Sequence, residues 1–378
     1  SLLMPAVCAS TPLRLGFILG GLCIFGVGCG PKKTPNPGPL PDVVADTPVL
    51  PAPEARVYST GSTSAADAMV EKVVEQGVMR WSESLAGAAG AMALSGDEGI
   101  GLLEARWYAV RAGYPYTVNL VMQGTESPGA WPQELVQRLA EVLTPADEVG
   151  IARARGPGMD RWVALVSRPT VVLNSFGREY VPGETLRVTG AAAQWVLTAP
   201  DLTVTRGTLP LERVVDDEGE WWLEVRDRNG LSTVAVPLFV GIDTPMVALL
   251  ASESSTSGPG RTKALAWQHL DDVRAEYDAA PLVRDEGLES LAGHPLAQRL
   301  AGTHDSVAGV ERLRKAGFVG GPAAQLACEA RTAAECVSQW LERAETRSVL
   351  LNPQFKIGGL QCQARAKDVT ILLNLSSD

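Results

Sequence analysis

Apolar and polar positions fall into three textures along the chain. From 64 to 95, Ala, Val, Met and Leu recur at helical spacing in "AADAMVEKVVEQGVMRWSESLAGAAGAMAL", which predicts a helical stretch. "GIGLLEARWYAVRAGY" predicts a second helix ending at Gly113, and "YTVNLVM" at 116 to 122 a strand. "WPQELVQRLAEVL" follows as a helix with Pro132 in its first turn, and two strands at 148 to 154 and 161 to 167 close an α/β unit. From 169 to 243 the periodicity drops to two, in short runs such as "ETLRVTG", "EWWLEVRD" and "STVAVPLFV". Turn clusters separate them, and Asn229-Gly230 is a strong hairpin signal, so this part reads as a small β-sandwich. From about 262 the helical period returns, and two apolar strands finish the chain.

The last of these textures repeats the first. A gapless pairing of "LTPADEVGIARA" (143 to 154) with "LNPQFKIGGLQC" (351 to 362) sets Leu143 on Leu351, Pro145 on Pro353, Val149 on Ile357 and Gly150 on Gly358. It carries "WVALVS" onto "TILLNL", and upstream "VRAGY" at 110 to 114 matches "RKAGF" at 314 to 318. Two anchors in one order predict that residues 60 to 168 and 262 to 378 share one α/β topology, with Val149 and Ile357 equivalent and the sandwich between the copies.

A chain of 378 residues accommodates two or three domains, and a hydrophobic content of 46% is enough to build their cores. The net charge of -10, with no Lys/Arg-rich run, excludes the basic face that nucleic acid needs. The beginning reads as targeting, not fold. Arg14 precedes the apolar stretch "LGFILGGLCIFGV", too short for a comfortable membrane span, and small residues follow. "GVGCG" then resembles a bacterial lipobox with Cys29 as the lipidated residue, although Gly26 stands where Leu is usual; an ordinary secretory signal or an uncleaved anchor is the alternative. The Pro-dense segment behind it reads as an extended tether. Gly30 after the lipidated Cys implies, by the same resemblance, the outer membrane of a diderm cell envelope.

Motifs with chemistry are few. "MVALLASESSTSGPGRTKALA" runs from an apolar strand through Gly to a helix, but Ser255 and Arg261 stand where a phosphate-binding loop needs Gly and Lys, so it reads as a Ser/Gly linker. Trp195, Trp221 and Trp222 are candidates for a sugar-binding surface, yet alternation puts Trp221 and Trp222 on opposite faces, one in the core and one as cross-strand cover. His269 and His294 lie on helical stretches as amphipathic-face residues. Once the signal is removed and Cys29 lipidated, Cys328, Cys336 and Cys362 remain; the pair with the shortest loop, Cys328 and Cys336, is the expected disulfide, against three buried thiols.

"AAPLVRDEGLESLA", "THDSVAGVERLRKAGF" and "VSQWLERAETRSVLLNPQFKIGGLQC" occur in the order and spacing seen in the CAP superfamily, the cysteine-rich secretory protein family, and the chain from 262 to 375 resembles it. The resemblance implies an α-β-α sandwich and, in many members, a cleft with two His and two acidic residues able to hold a divalent metal. Carried over by position, His304 matches the first His and Thr346, before Arg347, the second. The Glu of the family's "G-E-N-I-A" falls on Ala324, or on Gln325 after a one-residue slip, and Glu342 lies one place before the remaining acidic position. One His does not make a metal site, so no cofactor is expected and no catalytic residue is assigned, His304 and Glu342 being the weak candidates. His304 reads first as a surface or capping residue beside Asp305, which needs nothing special.

The sequence therefore predicts a multi-domain chain: signal peptide 1–28, tether 29–56, degenerate CAP-like α/β domain 57–168, β-sandwich 169–245, linker 246–261 and CAP-like domain 262–378. The expected role is that of a non-catalytic envelope lipoprotein that binds or scaffolds, partnered by the membrane through its anchor and by an unidentified envelope protein or ligand. A divergent hydrolase acting on envelope peptide, glycan or lipid, and a carrier of small apolar molecules, are the alternatives.

Overall fold

The computed structural model describes residues 57–58, 80–95, 101–127, 133–142, 144, 147–156, 158–242, 259–300, 306–318, 321–365 and 368–377. The signal, the tether with Cys29, most of the linker and His304 lie outside these residues. In chain order, β1 (Val57–Tyr58) is followed by the first module: β2 (Arg80–Trp81), α1 (Glu83–Ser95), α2 (Leu102–Arg111), β3 (Val118–Glu126), α3 (Gln133–Val142), β4 (Glu148–Arg155) and β5 (Asp160–Ser167). The middle holds β6 (Phe176–Gly177), β7 (Glu179–Tyr180), β8 (Glu184–Val188), β9 (Gln194–Thr198), β10 (Val204–Thr208), β11 (Leu211–Val215), β12 (Gly219–Arg226) and β13 (Ser232–Val240). The second module consists of α4 (Pro259–Glu276), β14 (Val283–Arg284), α5 (Glu286–Leu300), α6 (Ser306–Lys315), β15 (Ala323–Ala330), α7 (Ala333–Glu342), α8 (Ala344–Leu350), β16 (Ile357–Arg365) and β17 (Asp368–Ser376).

The two modules share one topology. Their sheets run β2-β4-β5-β3 and β14-β16-β17-β15, each with one parallel pair at the short-strand edge and antiparallel pairs elsewhere. Two helices of each module match as well. α1 and α5 begin beside the short strand under the same side-chain cap: Leu85 N–H donates to Ser82 Oγ at 3.3 Å, and Leu288 N–H to Asp285 Oδ1 at 2.7 Å. α2 and α6 end alike, with Gly113 and Gly317 at positive φ (78° and 103°) and Tyr114 and Phe318 N–H returning to the carbonyls of Ala109 and Leu313. The upstream anchor of the repeat is thus in register.

The hairpin anchor is not. On the first short edge Arg80 pairs with Glu148 and Trp81 with Val149; on the second, Val283 pairs with Ile357 and Arg284 with Gly358. Glu148 and Ile357 also face Ser167 and Ser376 on the neighbouring strands. Val149 therefore corresponds to Gly358, and Gly150 to Gly359, one residue beyond the gapless pairing. Contact geometry decides it. A Cβ on Gly150 would lie 2.2 Å from the Leu85–Ala86 backbone, and one on Gly359 2.1 Å from Glu289 N, so both glycines admit the first turn of the helix above them. An apolar strand hides such a slip, since either register preserves a run of Val, Ile and Leu, while a one-residue shift exchanges the two faces.

Two further expectations change. Arg80–Trp81 form an edge strand, although the helical period ran through them, because their backbone is drawn into pairing with β4. Pro259 and Arg261 belong to α4, not to the linker, Pro being compatible with a first turn whose N–H groups have no helical acceptor. The middle region has one five-stranded sheet, β10-β9-β12-β13-β7, with the ribbon β8–β11 as its smaller second layer. Its core is continuous with the first module: Leu85, Met92, Tyr114 and Leu165 share one buried cluster with Leu186, Trp221, Leu223 and Val236. The second module has its own core between α4, α7 and its sheet, around Trp267, Val337, Trp340 and Ile371.

Candidate functional site

Of the described candidates, Trp222 and Glu342 lie at the junction where the second module meets the sandwich and the first module. Alternation along β12 builds its floor. Trp221, Leu223 and Val225 turn into the core, while Glu220, Trp222, Glu224 and Arg226 occupy the opposite face. Trp222 is 5% exposed, as is Trp221, so neither is a platform on the surface; Trp195 packs against the core and donates its indole N–H to Thr208 O at 3.0 Å.

The end of α7 and the start of α8 lie on this floor. Glu342 forms an ion pair with Arg106 of α2, and the other guanidinium arm of Arg106 donates to Ala235 O of β13 at 2.9 Å. One arginine from the first module thus holds the sandwich and the second module together. Burial pushes the Glu342 carboxyl above its ordinary value, while the neighbouring Arg106 and Arg343 pull it back. Arg226 holds Glu224 through two bonds of 2.8 Å and reaches Glu345 at 2.6 Å, which Arg206 also approaches at 3.3 Å. Against the cost of its own burial, these hydrogen bonds bring Glu345 down to about 2. Ala344 N–H donates to Glu224 at 3.3 Å, so the first turn of α8 is capped by a sandwich carboxylate.

Arg347 lies at the centre. It is 1% exposed, its guanidinium carbon is 4.5 Å from the Trp222 ring centroid, and none of its three nitrogens has a hydrogen-bond partner among the described residues. Burial lowers its pKa to about 10, against the opposing influence of Tyr277, Glu224, Glu220 and Glu342. Tyr277 donates to Glu220 at 2.7 Å beside it.

The family-matched positions are spent on structure. Thr346, in place of the second His, donates to the carbonyls of Trp340 and Arg343. Ala324 pairs with Leu375 inside the sheet, and Gln325 binds Asn374 Oδ1 at 2.8 Å. His269 is buried in α4; His294 lies in α5. Cys328 and Cys336 are joined as a disulfide, and burial raises the half-buried Cys362 thiol to about 11. Among the described residues no three His, Cys, Asp or Glu side chains gather as metal ligands. Arg106, Glu224 and Arg226 were not among the sequence candidates. Glu224 and Arg226 had one signal, the polar face Glu220-Trp222-Glu224-Arg226 on a strand whose other face is apolar; Arg106, on α2, had none.

No protein-family model matches the sequence, and no curated protein matches it. Solved structures give partial likenesses. An outer surface protein from Borrelia burgdorferi aligns with 32% of this chain and 97% of its own, at 12% identity and a TM-score of 0.29. A cysteine-rich secretory protein from Staphylococcus aureus aligns over 51% of this chain and 80% of its own, at 9% identity and 0.28. An extracellular protein containing an SCP domain, from Bacillus anthracis, aligns over 44% of this chain and 63% of its own, at 18% identity and 0.25. Among the described residues no helix is long and apolar enough to cross a membrane.

Proposed function

We propose that this chain is a non-catalytic, lipid-anchored envelope protein whose paired CAP-like modules, clamped around a β-sandwich, act as a scaffold or binding body. One observation carries the reading: the segment 342–347, where the resemblance would put cleft chemistry, is built into the module junction through Glu342, Glu345 and Arg347. A carboxylate held by Arg106 and an arginine stacked under Trp222 serve cohesion, and substrate would have to part the modules to reach them. The anchor rests on the apolar run ending at Gly28-Cys29 and on the Pro-rich segment after it.

Two measurements test the proposal. Zinc titrated calorimetrically into the purified chain is expected to show no stoichiometric binding and to leave the melting temperature unchanged. A tight one-to-one site lost in His304→Ala would replace the scaffold with the hydrolase reading. For the anchor, the parent protein should fractionate with membranes and incorporate labelled palmitate, whereas Cys29→Ala should do neither; equal labelling of both forms would remove the lipid from the proposal.

A further inference from the structure

The repeat provides an internal comparison at the other junction, between the first module and the sandwich. At the short-strand edge of the first module, Arg80 holds Glu148 at 3.1 Å, and Tyr114 donates to the other oxygen of Glu148 at 2.7 Å. Asp147 beside it is 2% exposed and is held by Arg168 at 3.3 Å. The equivalent positions of the second module are Val283, Ile357 and Phe318, with Lys356 in place of Asp147. The same topology therefore forms without the buried charges. Burying such a network is generally no more stabilising than apolar packing of the same volume, so its presence in one copy asks for another reason.

A hollow of about 190 Å³ adjoins the network. Tyr116 and Ser167 connect the two: the Tyr116 ring meets Tyr114 edge-on at 5.6 Å, and Ser167 pairs with Glu148 across the β4–β5 ladder. Both are buried, and both line the hollow. Its remaining polar wall comes from Thr117, Asn119 and Thr170 on one side, Ser232 and Thr233 of the sandwich on the other, and Arg168 at the rim. Asn119, Arg168 and Thr170 are exposed, which leaves that side open to solvent.

We propose that this hollow is a carbohydrate subsite for a single neutral pyranose ring, formed jointly by the first module and the sandwich. Seven of the nine residues around it carry a hydroxyl or amide, groups that both donate and accept as sugar hydroxyls do, although Ser167 and Ser232 already donate to backbone carbonyls. The charges around it are paired, Arg80 with Glu148 behind the hollow and Arg168 at its rim with the buried Asp147, so an anion gains no net attraction. The volume is below the roughly 300 Å³ at which pockets for drug-sized ligands begin, which suits one ring and not an extended chain. The site is independent of the lipid anchor and of the Arg347 junction.

The test is NMR titration of the full mature chain with glucose, galactose, mannose and N-acetylglucosamine separately, with glucuronate as the charged comparison. At least one neutral sugar should give saturable shifts, in the millimolar range, confined to residues 116–119, 167–170 and 231–233. Asn119→Ala and Thr170→Val, both at exposed positions, should weaken it about tenfold or more while melting temperature changes little; Thr185→Val on β8, remote from the hollow, should not alter it. Absence of saturable shifts with all four neutral sugars overturns the proposal. So do shifts insensitive to both variants, or binding of glucuronate tighter than of every neutral sugar, which would make the rim an anion site.

Discussion

Gly359→Ala is expected to destabilise the protein severely, by about 3 kcal/mol or more, and Gly358→Ala by no more than about 1 kcal/mol, although the two glycines are adjacent. An alanine Cβ at 359 would meet the backbone of the first turn of α5 at 2.1 and 2.2 Å, and backbone held in a capped helical turn has nowhere to go. At 358 the nearest atoms are side-chain carbons of Trp267 and Leu282, at 3.2 and 3.3 Å, which yield by small rotations. Gly150→Ala should behave like Gly359→Ala, because its Cβ would meet Leu85 and Ala86 in the same way. Urea melts of the three variants settle the register of the repeat. If Gly358→Ala proves the more damaging of the pair, Gly358 and not Gly359 is the true counterpart of Gly150, and the helix packing described above is wrong.

Arg106→Ala should cost about 3–5 kcal/mol at pH 7, the range for removing one partner of a buried ion pair and leaving the other charge behind. Both side chains are largely buried, 13% and 15% exposed, and the arginine also loses its bond to Ala235 O. The loss should shrink on acidification. Glu342 already sits above its ordinary value through burial, and removing the Arg106 cation raises it further. A carboxyl whose pKa is raised on folding favours the folded state fully below its unfolded pKa, and that contribution fades as pH rises through the folded one. In the variant, protonation of Glu342 therefore relieves part of the deficit between neutral pH and the ordinary carboxylate range. Replacing both partners with apolar residues, Arg106→Met with Glu342→Leu, should recover most of the stability, since no charge is stranded. A loss in Arg106→Ala that is equally large at pH 7 and pH 5 would show that the carboxylate is not what the arginine satisfies.

Sequence periodicity settled what depends on neighbours a few residues apart. The hairpin strands were expected at 148 to 154 and 161 to 167 and form at Glu148–Arg155 and Asp160–Ser167, since two short apolar runs with a Gly-containing turn between them leave little choice. The matching helix ends at Gly113 and Gly317 were legible for the same reason: a glycine at positive φ stops a helix wherever it occurs. Asn229-Gly230 likewise marks the β12–β13 turn, where Asp227 Oδ1 accepts from Asn229 N–H at 2.8 Å and from Leu231 N–H at 3.0 Å.

Tertiary structure alone decided the rest. The one-residue register of the repeat depends on which glycine a helix needs beneath its first turn, a steric demand that no strand pattern carries. Glu342 looked like a remnant of a cleft because the family pattern places it near one, but its charge is answered by Arg106, 236 residues away in sequence. Arg347 was visible only as the residue after a missing His; that it lies under Trp222 depends on how the second module is set on the sandwich. The Arg80–Glu148–Tyr114 network was illegible for the same reason. Its members come from two strands and the turn after α2, and only the repeat's second copy, with Val283, Ile357 and Phe318 in their places, shows that the fold does not require them. Local spacing fixes elements, whereas long-range pairing of charges is a property of the assembled surface, where desolvation determines which partners count.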